Sequence, residues 1–115
     1  MIGIDIISIS RIEKSIKKFG NKAKNRFMTL NEQTIHTNTS SIAGIWASKE
    51  AFSKAIGTGI GEEFSFLDIE ILKNKKGKPI IHIINPILKE KLSNKQIDIS
   101  ITHDADFAIA AVIIL

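Results

Sequence analysis

The chain has 115 residues, a formal net charge of +4 and no cysteine. This length predicts one domain, residues 1–115, and the missing cysteines exclude a disulfide scaffold and any thiolate metal site. No apolar run approaches about 18 residues and no signal peptide is visible, so we expect no membrane span and a cytoplasmic location by default.

The basic charge favours an acidic partner, and nucleic acid, an anionic metabolite and an acidic protein all remain open. The aromatic residues, six Phe and one Trp, are scattered through apolar stretches. Platforms that stack on single-stranded nucleic acid interleave aromatic and basic residues instead.

The first stretch, residues 2–9, predicts a β-strand whose two faces differ. One face carries Ile2, Ile4 and Ile6. The other carries Gly3, Asp5 and Ile7. Asp is a poor strand residue and a buried, unpaired carboxylate is costly, so Asp5 indicates either an edge strand with one wet face or a specific partner.

A basic helix is expected next. Ser10 and Glu13 match a capping box, and Gly20 would end the helix. Its exposed faces would be basic, with Arg11, Lys14, Lys17 and Lys18. The polar residues 21–39 follow, where Thr29 and Glu32 could form a second capping box and His36 is interpreted as a surface histidine.

The longest predicted helix is capped by Ser40 or Ser41 and ends at Gly57, which suits a left-handed residue. A stripe at helical spacing predicts its core face: Ile42, Ile45, Trp46, Phe52 and Ile56. A second face carries Ala43, Ala47, Glu50 and Lys54. The last two could form an exposed ion pair worth roughly 0.3–0.5 kcal/mol, or the alanines could leave a shallow surface for a ligand.

The second half predicts strands. A hairpin of residues 66–72 and 79–84 precedes a short helix from Asn85-Pro86 to Leu92. Strands follow at residues 97–101 and 107–115, with a polar break at Thr102-His103-Asp104. As lone histidines, His82 and His103 favour structural roles. The order predicts an α+β fold with a mostly antiparallel sheet packed against the long helix.

Taken together, these motifs resemble the signature of holo-acyl-carrier-protein synthases, the small bacterial type of 4′-phosphopantetheinyl transferase. The central match is residues 49–59, KEAFSKAIGTG, together with residues 3–6 and 11–13. Weaker matches run in order to the end of the chain, at residues 26–32, 68–70, 77–79 and 100–103.

The resemblance implies that a serine of apo acyl carrier protein attacks the β-phosphate of coenzyme A. The 4′-phosphopantetheine arm is transferred, adenosine 3′,5′-bisphosphate leaves, and the holo carrier serves fatty acid biosynthesis. It also implies a homotrimer with active sites at subunit boundaries. Asp5 and Glu50 would bind Mg²⁺, an ion that takes one or two protein carboxylates, and Lys54 would stabilise the diphosphate charge.

The resemblance assigns further contacts. Ser53, Lys54, the Gly57 backbone and His103 would contact coenzyme A, His103 as a phosphate contact or, less favoured, as the general base. The base itself stays open between a metal-bound water and a carboxylate. The acidic carrier protein would dock on the first helix through Arg11, Lys17 and Lys18.

Three positions depart from the patterns of relatives. Larger members of the superfamily have a second acid where Ile7 stands, many relatives have Arg where Ile45 stands, and Asp104 follows His103 where Ser or Thr is common. Two other hypotheses compete with the transferase: a non-catalytic, basic RNA-binding α+β module, which leaves Asp5 unexplained, and an inactive relative that only binds coenzyme A.

Overall fold

The computed structural model describes residues 1–115 and contains five helices and five strands, with a short 3₁₀ turn before the second strand. In chain order they are β1 (Ile2–Ser8), α1 (Ile9–Phe19), α2 (Asn21–Phe27), α3 (Leu30–Ile35), α4 (Thr39–Ile56), β2 (Ile69–Lys73), β3 (Pro79–Ile83), α5 (Pro86–Lys91), β4 (Ile97–Asp104) and β5 (Phe107–Ile114). No helix has the length and apolar character needed to cross a bilayer.

The strands form two antiparallel sheets, which confirms the predicted α+β class. One sheet has the order β1-β5-β4, and the hairpin of β2 and β3 forms the other. The helix α4 packs against β1 and β5, and its inward residues include Ile45 and Phe52, which are fully buried. The inner face of the three-stranded sheet and α4 therefore build most of the core.

Gly3 allows β1 and α4 to touch backbone to backbone. A Cβ atom at this position would lie 1.9 Å from the carbonyl oxygen of Ala51 and 2.6 Å from the amide nitrogen of Ala55. Real Cβ atoms do not approach backbone so closely, so glycine is required for this contact. The strand consequently turns its Gly3, Asp5 and Ile7 face toward the helix.

The opposite face of β1 is the wet one. Its isoleucines are exposed, with Ile4 63% accessible, and they pair across to exposed or half-buried residues of β5. An edge strand with one wet face was one of the two expectations, but its wet face carries the isoleucines and not Asp5. The outer sheet face is defined here by Ile2, Ile4, Ile6, Phe107, Ile109 and Ile113.

Two helix starts differ from the prediction. The cap of α1 is Ser8, not Ser10, because the Asp106 carboxylate of the β4–β5 turn accepts from the Ser10 amide (2.9 Å) and from both serine hydroxyls. The cap of α4 is Asn38, whose side chain accepts from the Ser41 amide at 2.8 Å. The capping box of Thr29 and Glu32 is present, and Gly57 is left-handed (φ 84°) as expected.

Two predictions in the second half are corrected. The expected break at residues 102–104 is absent, because β4 runs on to Asp104 and the turn lies at residues 105–106, with Ala105 at a positive φ of 51°. His103 is therefore a strand residue opposite Ala108. The expected strand at residues 66–72 starts only at Ile69, after the 3₁₀ turn Phe66–Asp68.

Candidate active site

Asp5 meets two residues that are distant from it in the sequence, Glu50 and Lys54, where β1 crosses α4. The Lys54 ammonium lies 2.9 Å from Asp5 Oδ1 and also donates to the carbonyl oxygen of Ile4 at 3.1 Å. Glu50 stands one helical turn before Lys54, on the same side of α4. The structure thus brings together the three residues that the sequence predicted as catalytic.

The two acids of this cluster repel each other. Burial raises the pKa of the Glu50 carboxyl, the negative charge of Asp5 raises it further, and Lys54 opposes both effects. A second positive charge near both carboxylates would relieve this repulsion. Asp5 is only 16% exposed, whereas Lys54 is 52% exposed and can turn toward a ligand.

The donor set fits a hard divalent cation. No group of three or more His, Cys, Asp or Glu side chains is arranged to hold a metal ion. Mg²⁺ typically binds one or two protein carboxylates and completes its octahedron with water and substrate phosphate oxygens. Asp5 and Glu50 supply that number of carboxylates, so these residues fit the ion that the sequence predicts.

The other residues that were predicted to contact coenzyme A lie in two places. Ser53 is fully buried, and its hydroxyl donates to the Glu50 carbonyl oxygen at 2.6 Å, so it supports the helix next to the acids. The Gly57 amide donates to the Ser53 and Lys54 carbonyl oxygens at the end of α4. The Ser53 hydroxyl and the Gly57 amide therefore both donate to backbone carbonyl oxygens within α4. Gly57 itself is exposed.

His103 is separated from the acids within one chain. It lines a polar groove of about 340 Å³ at the start of α4, together with Asn38, Ser41 and Lys73. Glu50 lies nine positions after Ser41 in the helix, which is about 14 Å along the axis. Ile45 also borders this groove but is fully buried, and Asp104 is exposed beyond it.

The alanine face of α4 is not a ligand surface. Ala43 and Ala47 are both fully buried in the core, so the hypothesis that they leave a shallow surface is wrong. On this face of the helix, only Glu50 and Lys54 reach solvent, at the point where α4 passes the middle of β1. Small residues on this face therefore serve close packing and not ligand access.

The predicted docking residues are exposed on α1. Lys17 forms an ion pair with Glu13 at 3.2 Å, and Lys18 lies 5.3 Å from the centre of the Phe19 ring. Arg11 lies at the mouth of an apolar groove of about 150 Å³, whose other lining residues are Ile7, Ile12, Ser15, Ile16, Ala23, Arg26, Phe27 and Trp46. A basic rim around an apolar groove suits an acidic helix with apolar side chains.

A buried polar network behind the site was not predicted. Lys49 and Glu32 form a fully buried ion pair, and burial lowers the pKa of Lys49 although Glu32 opposes this. Thr29 continues the network by donating to Glu70, which also contacts His82. The spacing in the sequence could have indicated that Lys49 is buried, because it lies four residues after Ile45 and three before Phe52, within the apolar stripe.

His36 was predicted to be a surface histidine, which is wrong. It is 4% exposed, and its two ring nitrogens lie 2.8 Å from Ser41 Oγ and 2.9 Å from the Ile71 carbonyl oxygen. The carbonyl can only accept, so Nε2 carries the proton and Nδ1 accepts from Ser41. His36 therefore joins the edge of β2 to the first turn of α4.

The chain is similar to known proteins along almost its whole length. The family model described as the 4′-phosphopantetheinyl transferase superfamily matches residues 1–112. The holo-[acyl-carrier-protein] synthase of Nautilia profundicola is 56% identical over 115 residues, which cover 100% of this chain and 99% of the relative.

Solved structures show the same similarity. The Helicobacter pylori holo-[acyl-carrier-protein] synthase in complex with coenzyme A has a TM-score of 0.91 and 49% identity, covering 100% of both chains. The Neisseria meningitidis synthase has a TM-score of 0.88 and 33% identity, covering 99% of this chain and 96% of that one.

Proposed function

Because this chain belongs to the 4′-phosphopantetheinyl transferase superfamily, we propose that it is a holo-[acyl-carrier-protein] synthase. It transfers the 4′-phosphopantetheine arm of coenzyme A to a serine of apo acyl carrier protein. The observation that carries the proposal is the meeting of Asp5, Glu50 and Lys54 at the crossing of β1 and α4. The family match does not favour the RNA-binding alternative.

The reaction makes one bond and breaks one. The serine oxygen of the carrier bonds to the β-phosphorus of coenzyme A, and the bond from that phosphorus to the bridging oxygen breaks. Adenosine 3′,5′-bisphosphate leaves with the bridging oxygen, and the serine proton passes to a base. Such transfers depend on positioning and charge neutralisation more than on covalent participation by the protein.

The residues of this chain meet those two needs. Asp5 and Glu50 would hold Mg²⁺, which neutralises the diphosphate charge when bound. Lys54, whose ammonium now contacts Asp5, would turn to a phosphate oxygen and stabilise charge that develops on the leaving group. Ser53 would keep the Glu50 backbone in place from inside the core.

A trimer would complete the site, and the outer sheet face supports it. Its exposed isoleucines form an apolar surface of the kind that marks an interface between proteins. Because His103 is separated from Asp5 and Glu50 within one chain, it would serve the site of a neighbouring copy across a subunit boundary. Coenzyme A would then bind between subunits.

The carrier protein would dock on α1. Arg11, Lys17 and Lys18 would attract its acidic residues, and the apolar groove beside Arg11 would receive an apolar side chain of the carrier. Charge complementarity of this kind sets orientation and association rate, so carrier binding would weaken with added salt.

The activity test combines the chain with coenzyme A, Mg²⁺ and an apo carrier protein. We expect the carrier to gain the mass of the phosphopantetheine arm and EDTA to prevent this gain. Glu50→Gln should abolish transfer with the fold intact, whereas the matched change Glu90→Gln on the exposed face of α5 should not. No mass gain by the unmodified chain would refute the function; near-normal turnover of Glu50→Gln would remove Glu50 from the metal site.

The assembly test uses Ile4→Glu, which places a charge at the centre of the outer sheet face. Sedimentation velocity should show a trimer for the unmodified chain and a monomer with little activity for the variant. An unmodified chain that is a fully active monomer would exclude a site shared between subunits.

A further inference from the structure

The buried ion pair of Lys49 and Glu32 joins four segments at one point. The Lys49 ammonium lies 2.6 Å from Glu32 Oε1 and donates to the carbonyl oxygen of Phe27 at 2.7 Å. Glu32 Oε1 also accepts from the Thr29 amide at 2.9 Å, and Oε2 accepts from the Ile71 amide at 2.7 Å. The end of α2, the start of α3, the edge of β2 and the middle of α4 are thereby linked.

Every contact in this link is directional, and the pair has little room to move. Both side chains are fully buried, and no buried side-chain nitrogen or oxygen in the chain lacks a hydrogen-bond partner. Hydrogen bonds to charged groups are stronger than neutral ones and depend on angle. Lys49 is therefore held in both distance and direction.

The other side of α4 is held by contacts of a different kind. Where the helix meets β1, Gly3 lies against the backbone of Ala51 and Ala55, and Lys54 contacts Asp5 and the Ile4 carbonyl oxygen. Small residues of this kind allow close approach, but they do not interlock as large side chains do. Of the two lysines of α4 that form ion pairs, Lys49 is fully buried and Lys54 is half exposed, so Lys49 supplies the polar contacts that hold the helix from within the core.

Lys49 directly precedes Glu50. Consecutive helical residues point about 100° apart, so Lys49 faces α2 and α3 while Glu50 faces the Asp5 side. Any rotation of the helix that loosens the Lys49 contacts would move Glu50 and Lys54 relative to Asp5 by a comparable angle. Anchoring one residue therefore sets the positions of the other two.

We propose that Lys49, through its ion pair with Glu32, is a positioning residue that sets the rotation of α4 and so the geometry of the transfer site. This inference rests on the proposed function. A purely stabilising role is the competing explanation, but a buried ion pair replaced by uncharged groups of similar size often leaves stability unchanged. A paired replacement can therefore separate positioning from folding.

The experiment uses Lys49→Met/Glu32→Gln, which removes both charges together, and Glu32→Asp, which keeps both charges but shortens the acid by one methylene. Lys95→Met, at an exposed position outside the site, is the matched control. Thermal unfolding, kcat, the KM for coenzyme A and the Mg²⁺ concentration giving half-maximal rate are measured for each.

A readout that needs no turnover comes from Trp46, the single tryptophan of the chain. It lies one turn before Glu50, and its ring centre is 4.6 Å from that of Phe66 and 5.2 Å from that of Phe27. Rotation of α4 would alter these aromatic contacts, so the emission maximum of Trp46 should shift in the double variant and stay unchanged in Lys95→Met.

For the folded double variant we expect kcat to fall at least about tenfold and half-maximal Mg²⁺ to rise, with the KM for coenzyme A within about threefold. Glu32→Asp should also lower kcat and raise the half-maximal Mg²⁺ concentration, but by less. If the double variant does not fold, Glu32→Asp is the variant that tests the inference. Folded variants with unchanged kcat, Mg²⁺ dependence and Trp46 emission would overturn the inference alone. An unmodified chain without transfer activity would overturn the proposed function, and this inference with it.

Discussion

Two lysines on α4, five residues apart, form ion pairs of opposite character. Lys49 and Glu32 are both fully buried, whereas Lys54 is half exposed above Asp5. Glu32 is saturated by backbone donors on both oxygens, while Lys54 and Asp5 meet through a single carboxylate oxygen. The Lys49–Glu32 ion pair is thus permanent, whereas the Lys54–Asp5 ion pair can exchange its partners.

The difference lies in what surrounds each pair. A buried pair has no water to replace a lost partner, so breaking it leaves an uncompensated charge. An exposed pair exchanges its partner for water, a metal ion or a phosphate at little cost. We infer that the first lysine fixes α4 within the fold, whereas the second is available to a ligand.

The strongest way to break this comparison is Lys49→Met alone. The variant leaves the Glu32 carboxylate buried without its ammonium, so we expect a loss of about 3–5 kcal/mol in unfolding free energy. Urea denaturation followed by circular dichroism measures it. A loss below about 1 kcal/mol, the range of an exposed pair, would show that the two pairs do not differ as described.

The reciprocal change, Lys54→Met, should spare the fold and harm the reaction. Its exposed ion pair contributes about 1 kcal/mol at most, whereas the loss of a charge at the diphosphate should lower kcat about a hundredfold, or about 2.7 kcal/mol. Steady-state kinetics and urea denaturation on the same preparation separate the two effects. If Lys54→Met kept the kcat of the unmodified chain but lost much of its stability, Lys54 would serve the fold and not the reaction.

The variant Arg11→Glu tests a charged residue that belongs to neither the Lys49 nor the Lys54 ion pair. Reversing this exposed residue of α1 should raise the KM for carrier protein about tenfold, which is about 1.4 kcal/mol. The KM for coenzyme A should not change, and Lys95→Glu supplies the same charge change elsewhere on the surface. An equal loss for both substrates would contradict docking at Arg11.

The smallest expected effect is a pH dependence of stability from His36. Burial lowers the pKa of His36 from 6.5, the Ile71 carbonyl and Glu32 oppose this, and Lys73 and Lys49 add to it. The folded state therefore favours the neutral ring: its contribution is present above about pH 6.5 and is lost as the pH falls through 6.5 toward the lower folded value.

Urea denaturation at pH 7.5 and 5.5 tests this direction. Unfolding free energy should fall between these values, and His36→Gln should show a smaller fall. The lowered pKa values of Glu70, Asp98 and Asp106 keep these acids charged at both pH values. The raised pKa of Glu50 acts in the opposite direction, and it is unchanged in His36→Gln. A fall of the same size in His36→Gln would remove His36 as the cause.

Much of the fold was predictable because its signals are local. Gly57 ends α4 and Thr29 pairs with Glu32 for reasons contained in a few neighbouring residues. The two faces of β1 were also visible from alternation, but not which face meets α4. Hydrophobicity alone would turn the isoleucines toward α4, but the close backbone contact at Gly3 places them on the outer face of the sheet.

The failures involve partners far along the chain. Asp106 moves the start of α1 to Ser8 from almost a hundred residues away. His36 is buried because β2 presents the Ile71 carbonyl to it. At the site, Asp5, Glu50 and Lys54 were predicted through a family resemblance. Lys49 was missed because a charged residue within an apolar stripe cannot be recognised as buried until its partner, Glu32, is known.

The contact at Gly3 has a consequence for how the protein can change over time. Most crowded positions tolerate a larger residue once a neighbour becomes smaller. Here the obstructing atom is the carbonyl oxygen of Ala51, which every amino acid possesses. No second substitution at Ala51 can make room, so revertants of a Gly3 variant should restore glycine itself and not arise at the facing residue.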